Sequence, residues 1–266
     1  MIRRQMKFYT LFLPVVWVTS VLLLTPALAE IQISRKSARE IGQRVWQNEC
    51  GGTVDGLTSW NRGENFPSLG IGHFIWYPKG TRGPFEESFP QLLRFMAVRS
   101  VDIPDWLRTA KGAPWPTRKT FVAQFNSSRM RQLRRFLVDT VPVQAEFLVF
   151  RLEEALPKME RAASKNERAK IRENFYRVAE SPGGAYALID YVNFKGEGVK
   201  ESERYKGQGW GLLQVLANMN PEGNPVRAFA RSADEVLTRR VRNSPASRNE
   251  SRWLPGWKNR VQSYAN

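Results

Sequence analysis

Residues 48–76 read NECGGTVDGLTSWNRGENFPSLGIGHFIW. One acid, Glu49, ends a run whose pattern predicts an amphipathic helix. Glycines at 51, 52 and 56 then break the chain, and Asp55, Asn61, Gly63, Asn65 and Pro67 keep it turning. The hexapeptide SLGIGH at 68–73 alternates small or polar with apolar residues, as a short extended hairpin segment does. Glycines there mark close approach of a ligand or of another backbone.

Upstream, SRKSAREIGQRVWQNE carries the helix signal. Ser37 with Glu40 three residues later fits a capping box, and Ala38, Ile41 and Val45 recur at helical spacing. Glu49 lies four residues beyond Val45, so it continues the apolar stripe. Burial, then the negative end of the helix dipole, are expected to raise the pKa of its carboxyl. A carboxyl protonated near neutral pH is what glycoside cleavage asks of its general acid. The alternative is a solvated glutamate in a fraying last turn.

GIGH preceded by a small hydroxylated residue, with a helix-ending glutamate upstream, resembles the phage-type branch of the lysozyme-like superfamily. The resemblance implies that Glu49 protonates the glycosidic oxygen and that Ser68 positions water or substrate. The second carboxylate of that family has no clean counterpart. Its place falls near Asn61 and Arg62, and Glu64 and Asp55 are the nearest acids, with Glu64 the candidate. Hydrolysis and transglycosylation both stay open, because a lytic transglycosylase needs one acid/base residue and a hydrolase normally needs two carboxylates.

A second segment, ERYKGQGWGLLQVLANMNP at 203–221, is similar to the sugar-cleft segments of plant-type chitinases and soluble lytic transglycosylases. Gln214 and Gly211 match the motif glutamine and glycine. Gln208 replaces the chitinase arginine, and Trp210-Gly211-Leu212 replaces its glycine-proline-isoleucine. Before it, GGAYALIDYVNFKGEG predicts a helix over 185–194 stopped by Gly196 and Gly198. That leaves Glu197 at a helix end ahead of its own motif, as the alternative acid. Tyr205, Asn193 and Gln214 are candidate hydrogen-bonding partners of a sugar, and Trp60 and Trp210 candidate stacking faces.

His73 is the single histidine and Cys50 the single cysteine. A His-based triad, a multi-histidine metal site and an internal disulfide therefore find no support, and no metal or cofactor is expected. His73 reads as a structural residue behind the hairpin, and Cys50 as a buried, inert thiol under the cleft.

The first 29 residues combine Arg3, Arg4 and Lys7 with an apolar core and Ala27-Leu28-Ala29, the pattern of a secretory signal. An uncleaved anchor is the alternative, and no other stretch is long or apolar enough to span a bilayer. The expected location is the periplasm. The chain carries a formal +16, and losing Arg3, Arg4 and Lys7 with no acids leaves +13. Such a surface suits anionic envelope polymers, and export argues against nucleic acid. The densest basic run, RMRQLRRF at 129–136, reads as a solvated helix face around buried Met130, Leu133 and Leu137.

The middle of the chain shows apolar residues at three- and four-residue spacing between proline and glycine breaks. The expected fold is α+β and mainly α. It is a single lysozyme-like domain over 30–266, with a small β-hairpin or sheet beside a helical lobe. The function this implies is cleavage of the β-1,4 glycan of peptidoglycan, as a lysozyme or a lytic transglycosylase. A non-catalytic peptidoglycan-binding protein on the same scaffold is the alternative, and chitin-like oligosaccharide is a further candidate substrate.

Overall fold

The computed structural model describes Ile31 and residues 34–83 and 85–266. The expected secretory signal, residues 1–29, falls outside the described residues. Helices take 63% and strands 5% of the structure, so the architecture is α+β and mainly α.

Helix α1 (Arg35–Cys50) begins three residues earlier than the Ser37–Glu40 pattern suggests. Ser34 is the N-cap, and its hydroxyl accepts from the Ser37 amide at 3.0 Å. Ser37 is thereby a first-turn residue, and Glu40 pairs on the surface with Lys36. Ala38, Ile41 and Val45 are buried as their spacing requires, and this face packs α1 against the long helix α6 described below. Burying a large aliphatic side chain contributes roughly 1.5–3 kcal/mol, so the stripe fixes the helix far more firmly than its cap does. Gly51 ends it with φ 62°, a left-handed turn in which a Cβ is unfavourable.

A three-stranded antiparallel sheet follows: β1 (Thr58–Ser59), β2 (Ser68–Leu69) and β3 (Phe74–Ile75), in that order. Ser68 pairs with Ser59 on one side and Ile75 on the other. The strand is shorter than SLGIGH, because GIGH is the turn between β2 and β3 and only Ser-Leu is extended. Gly70 shows why: its φ is 72°, and a Cβ there would meet Gln144 Oε1 at 2.4 Å. The amide of Gln144, fully buried, accepts from Ile71 N at 2.9 Å and donates to Leu137 O at 2.6 Å. The hairpin turn is thus fastened to the helical lobe by one side chain.

The helical part continues with α2 (Phe89–Val98), α3 (Asp105–Arg108), α4 (Arg118–Ala123), α5 (Ser128–Asp139) and α6 (Val141–Ala162). Then come α7 (Lys165–Ala179) and α8 (Gly184–Lys195), a two-stranded ribbon of β4 (Arg204–Tyr205) and β5 (Gln208–Gly209), and α9 (Leu212–Asn218). The chain ends with α10 (Pro225–Asn243) and α11 (Leu254–Gln262). Helix α6 runs through Pro157, forfeits one backbone bond there, and packs on α1, α2, α7 and α8. Residues Ile31–Asn266 form one compact unit.

On α5, Met130, Leu133 and Leu137 are buried as their spacing predicts, and Arg129, Arg131 and Arg135 are exposed. Arg134 departs from that solvated face. It turns inward, donating to Thr58 Oγ1 at 2.8 Å and pairing with Asp55 at 3.1 Å, so it ties α5 to the start of the sheet. Among the described residues no helix is long and apolar enough to cross a membrane.

Candidate active-site cleft

A cleft of about 250 Å³ opens between the β2–β3 hairpin and the helical lobe. Gly72, His73 and Ile75 form one wall, Leu148 and Arg151 of α6 another, and Asn193 and Glu197 close it from the end of α8. Two segments far apart in sequence therefore meet across one space. The physical cause is that α6 holds both, the hairpin through Gln144 and α8 through shared packing.

Glu49 sits at the last turn of α1, next to this cleft, with its side chain 19% exposed. Its Oε2 lies 3.8 Å from Nδ1 of His73, which lines the cleft. Its Oε1 accepts a hydrogen bond from Nη2 of Arg260 on α11. The same guanidinium grips Asp190 of α8 with two bonds of 2.8 Å, from Nε and from Nη2. Asp190 is buried, and also receives the hydroxyl of Tyr264. Burial alone would weaken the Arg260 cation. The hydrogen bonds and charge of Asp190, with the charge of Glu49, outweigh it and raise the Arg260 pKa above its ordinary range. Burial first and Asp190 second push the neighbouring Tyr186 hydroxyl up to about 12.

Of the two carboxylates, Asp190 takes the bidentate fork and is shut away from water, and Glu49 is the partly exposed one, touching the cleft through His73.

His73 faces the cleft with its ring, where a place behind the hairpin was expected; its Nε2 lies 3.4 Å from Gly56 O. Its φ of 46° is left-handed, at the last position of the turn before β3. Cys50 is buried as expected, its thiol facing the carbonyls of Gly70 and Ile71. Burial first, with the Glu49 charge behind it, pushes that thiol up to about 12, so it is held protonated and unreactive.

The other sequence candidates separate into two groups. Asn193 and Glu197 line the cleft, and Glu197 pairs with Lys158 at 3.1 Å. Ser68 is buried in the middle strand, on the sheet face it shares with Ile75 across the ladder. Glu64 lies in the β1–β2 loop. It accepts from Asn61 at 3.3 Å, while its other carboxylate oxygen is buried without a hydrogen-bond partner.

Gln214, Tyr205, Trp60 and Trp210 are occupied elsewhere. Gln214 accepts from Gly211 N at 2.9 Å and donates to Gly198 O at 3.0 Å, closing the start of α9 on itself. Tyr205 donates to Glu250 at 2.9 Å and packs on Trp210, whose ring is buried. Trp60 is a core residue that donates to Glu64 O and meets the Phe121 ring edge-on. The second motif therefore shapes the helical lobe through internal bonds and contributes Glu197 and Asn193 to the cleft from its upstream side.

Arg260, Asp190 and Arg151 were not legible as site residues. Asp190 did leave a signal, since a lone acid inside YALIDYV, on an otherwise apolar helix, needs a cation for a partner. Among the described residues no cluster of three or more His, Cys, Asp or Glu groups is placed to hold a metal ion.

Comparison with protein-family models, with curated proteins and with solved structures finds no match for this chain.

Proposed function

We propose that this chain is an exported glycosidase that cleaves the β-1,4 glycan of peptidoglycan, with Glu49 as its general acid. The observation that carries the reading is the placement of Glu49. It ends a helix beside a cleft walled by a glycine-rich hairpin, its carboxyl shared between Arg260 and His73. In this reading Glu49 delivers a proton to the glycosidic oxygen as the bond from that oxygen to C1 breaks. Arg260 orients the carboxyl and steadies it as a carboxylate once the proton has left. Asn193, which lines the same cleft, hydrogen-bonds a sugar amide in this reading. The oxocarbenium carbon is then met by water, giving a reducing end, or by the C6 hydroxyl of the same sugar, giving a 1,6-anhydro ring, and the proton that oxygen loses returns to the Glu49 carboxylate.

A second assignment keeps fold and substrate and gives the acid role to Glu197. It is favoured by one observation, that Glu197 itself lines the cleft. Each candidate carboxyl has a cation beside it, Lys158 at 3.1 Å from Glu197 and Arg260 on Glu49, so the choice between them falls to the experiment.

The experiment is incubation of the mature protein with purified peptidoglycan and mass analysis of what becomes soluble. Muropeptides released by the wild type and absent with Glu49→Gln support the assignment, and their masses distinguish hydrolysis from ring closure. Loss with Glu197→Gln and retention with Glu49→Gln transfers the role to Glu197. Co-sedimentation with no release makes the protein a wall binder, and release only from chitin oligomers changes the substrate.

A further inference from the structure

Among the charged side chains of the cleft, Lys200 and Arg151 make no bond that accounts for them; Lys200 is exposed and Arg151 is half-buried. Arg151 of α6 lines it beside Leu148, and among the described residues its guanidinium makes no hydrogen bond and no ion pair within 4.0 Å. The acids around it are committed elsewhere. Glu197 is held by Lys158 at 3.1 Å, Glu203 accepts from Gly198 N at 3.1 Å, and Glu86 accepts from Gln91 at 2.6 Å. Glu86 and Glu197 act on Arg151 only through space, and burial lowers its pKa against their pull. A guanidinium in the wall of a cleft, partly desolvated and with its planar fork unused, is a recognition group for a carboxylate.

We propose that Arg151 is a carboxylate-binding residue of the cleft, and that the glycan bound there carries an acid next to the sugar ring. In peptidoglycan that chemistry has two sources, the lactyl group of muramic acid and the carboxylates of the stem peptide. The inference rests on the cleft being the glycan site and deepens that reading by naming what separates the substrate from neutral chitin. The acids of the cleft sharpen the choice: an anionic ligand placed away from Arg151 and Lys200 meets Glu86, Glu197 or Glu203.

The test measures binding of the full mature protein and of Arg151→Gln to three short ligands. These are a chitin oligomer, peptide-free peptidoglycan glycan that keeps its lactyl carboxylates, and the same glycan with stem peptides. The wild type is expected to bind at least one carboxylate-bearing ligand roughly tenfold or more tighter than chitin. Arg151→Gln should erase that preference while chitin binding stays within about twofold, since a neutral ligand never used the charge. Preference for the peptide-free glycan identifies the lactyl group, and preference only with peptides identifies the stem. Arg151→Lys, which keeps the charge and loses the fork, should fall between.

Equal affinity of the wild type for all three ligands overturns the inference, as does binding to none of them. So does an Arg151→Gln variant that keeps the preference. The wild-type comparison needs no variant and stands even where Arg151→Gln fails to fold. Because the readout is binding, a protein that cleaves nothing can still confirm the role of Arg151. An active enzyme with no carboxylate preference refutes that role alone.

Discussion

Glu49 and Arg260 stand 211 positions apart in the chain and share a hydrogen-bonded ion pair at the edge of the cleft. The pair closes the molecule on itself, because the first described helix ends where the last one presents its arginine. Asp190 on α8 completes the junction, so three helices converge on one guanidinium.

Removing that guanidinium strands two carboxylates, one of them buried. Arg260→Ala is expected to destabilise the protein by about 3 kcal/mol or more, because an uncompensated buried charge costs more than the pair contributes. Chemical denaturation measures it directly. Pairing Arg260→Ala with Asp190→Asn should recover part of the loss, since the second change removes the charge left behind.

Glu49→Gln preserves an acceptor for Arg260 and removes the transferable proton. Wall-clearing activity should fall by roughly 10²–10⁴-fold, the usual range for a general acid. The melting temperature is expected to move little. A variant that clears cell walls at the wild-type rate rejects Glu49 as the acid.

Lys195 sits against the rings of Trp257 and Phe194, its Nζ 3.3 and 3.8 Å from their centroids. Burial first, then Arg240 and, more weakly, Arg260 bring its pKa down to about 6, against the opposing pull of Glu250. The two ring faces favour the ammonium. Between about pH 6 and the ordinary 10.5 the unfolded chain therefore holds a proton the folded one lacks, so this group makes stability rise with pH. Below pH 6 both states are protonated and the cost of the buried charge is felt in full. Lys195→Met should stabilise the fold most at pH 5, less at pH 8 and hardly at all near pH 10. Denaturation midpoints of the two proteins at those pH values check it, and a difference independent of pH rules out the titration of Lys195.

The Cys50 thiol, buried beneath the hairpin turn, should react with a disulfide reagent at pH 8 only as fast as the protein opens. Denaturant should speed the reaction by orders of magnitude. Rapid labelling of the native protein would place the thiol at the surface.

Gln214→Ala removes the bonds to Gly211 and Gly198 that begin α9. A loss of about 1 kcal/mol in stability is expected, typical of a helix cap. KM for glycan should stay near wild type, because the amide is spent internally; a KM change without a stability change would return Gln214 to the cleft.

Local pattern carried most of the secondary structure. The apolar spacing of α1, the glycine stop at its end and the run YALIDYV are properties of neighbours along the chain, and the helices lie where those patterns place them. The mainly helical class follows from the same periodicity. Small errors arose where two local solutions compete. Ser34 and Ser37 both fit an N-cap, and the extended φ, ψ of Ser34 decided it. SLGIGH reads as strand by alternation, but Gly70 at φ 72° makes its second half a turn.

The partners of each charge were beyond local reading. Nothing near Glu49 in the sequence announces Arg260, and nothing near Gln214 shows that its amide is already used. Ion pairs and buried amides have no period along the chain. They form wherever folding delivers a complementary group into low dielectric, and the free energy of leaving one unpaired enforces the match only after the helices have packed. Composition and spacing thus fixed which elements exist and which faces are buried. Packing alone settled which of the candidate residues face the cleft and which are spent inside the fold.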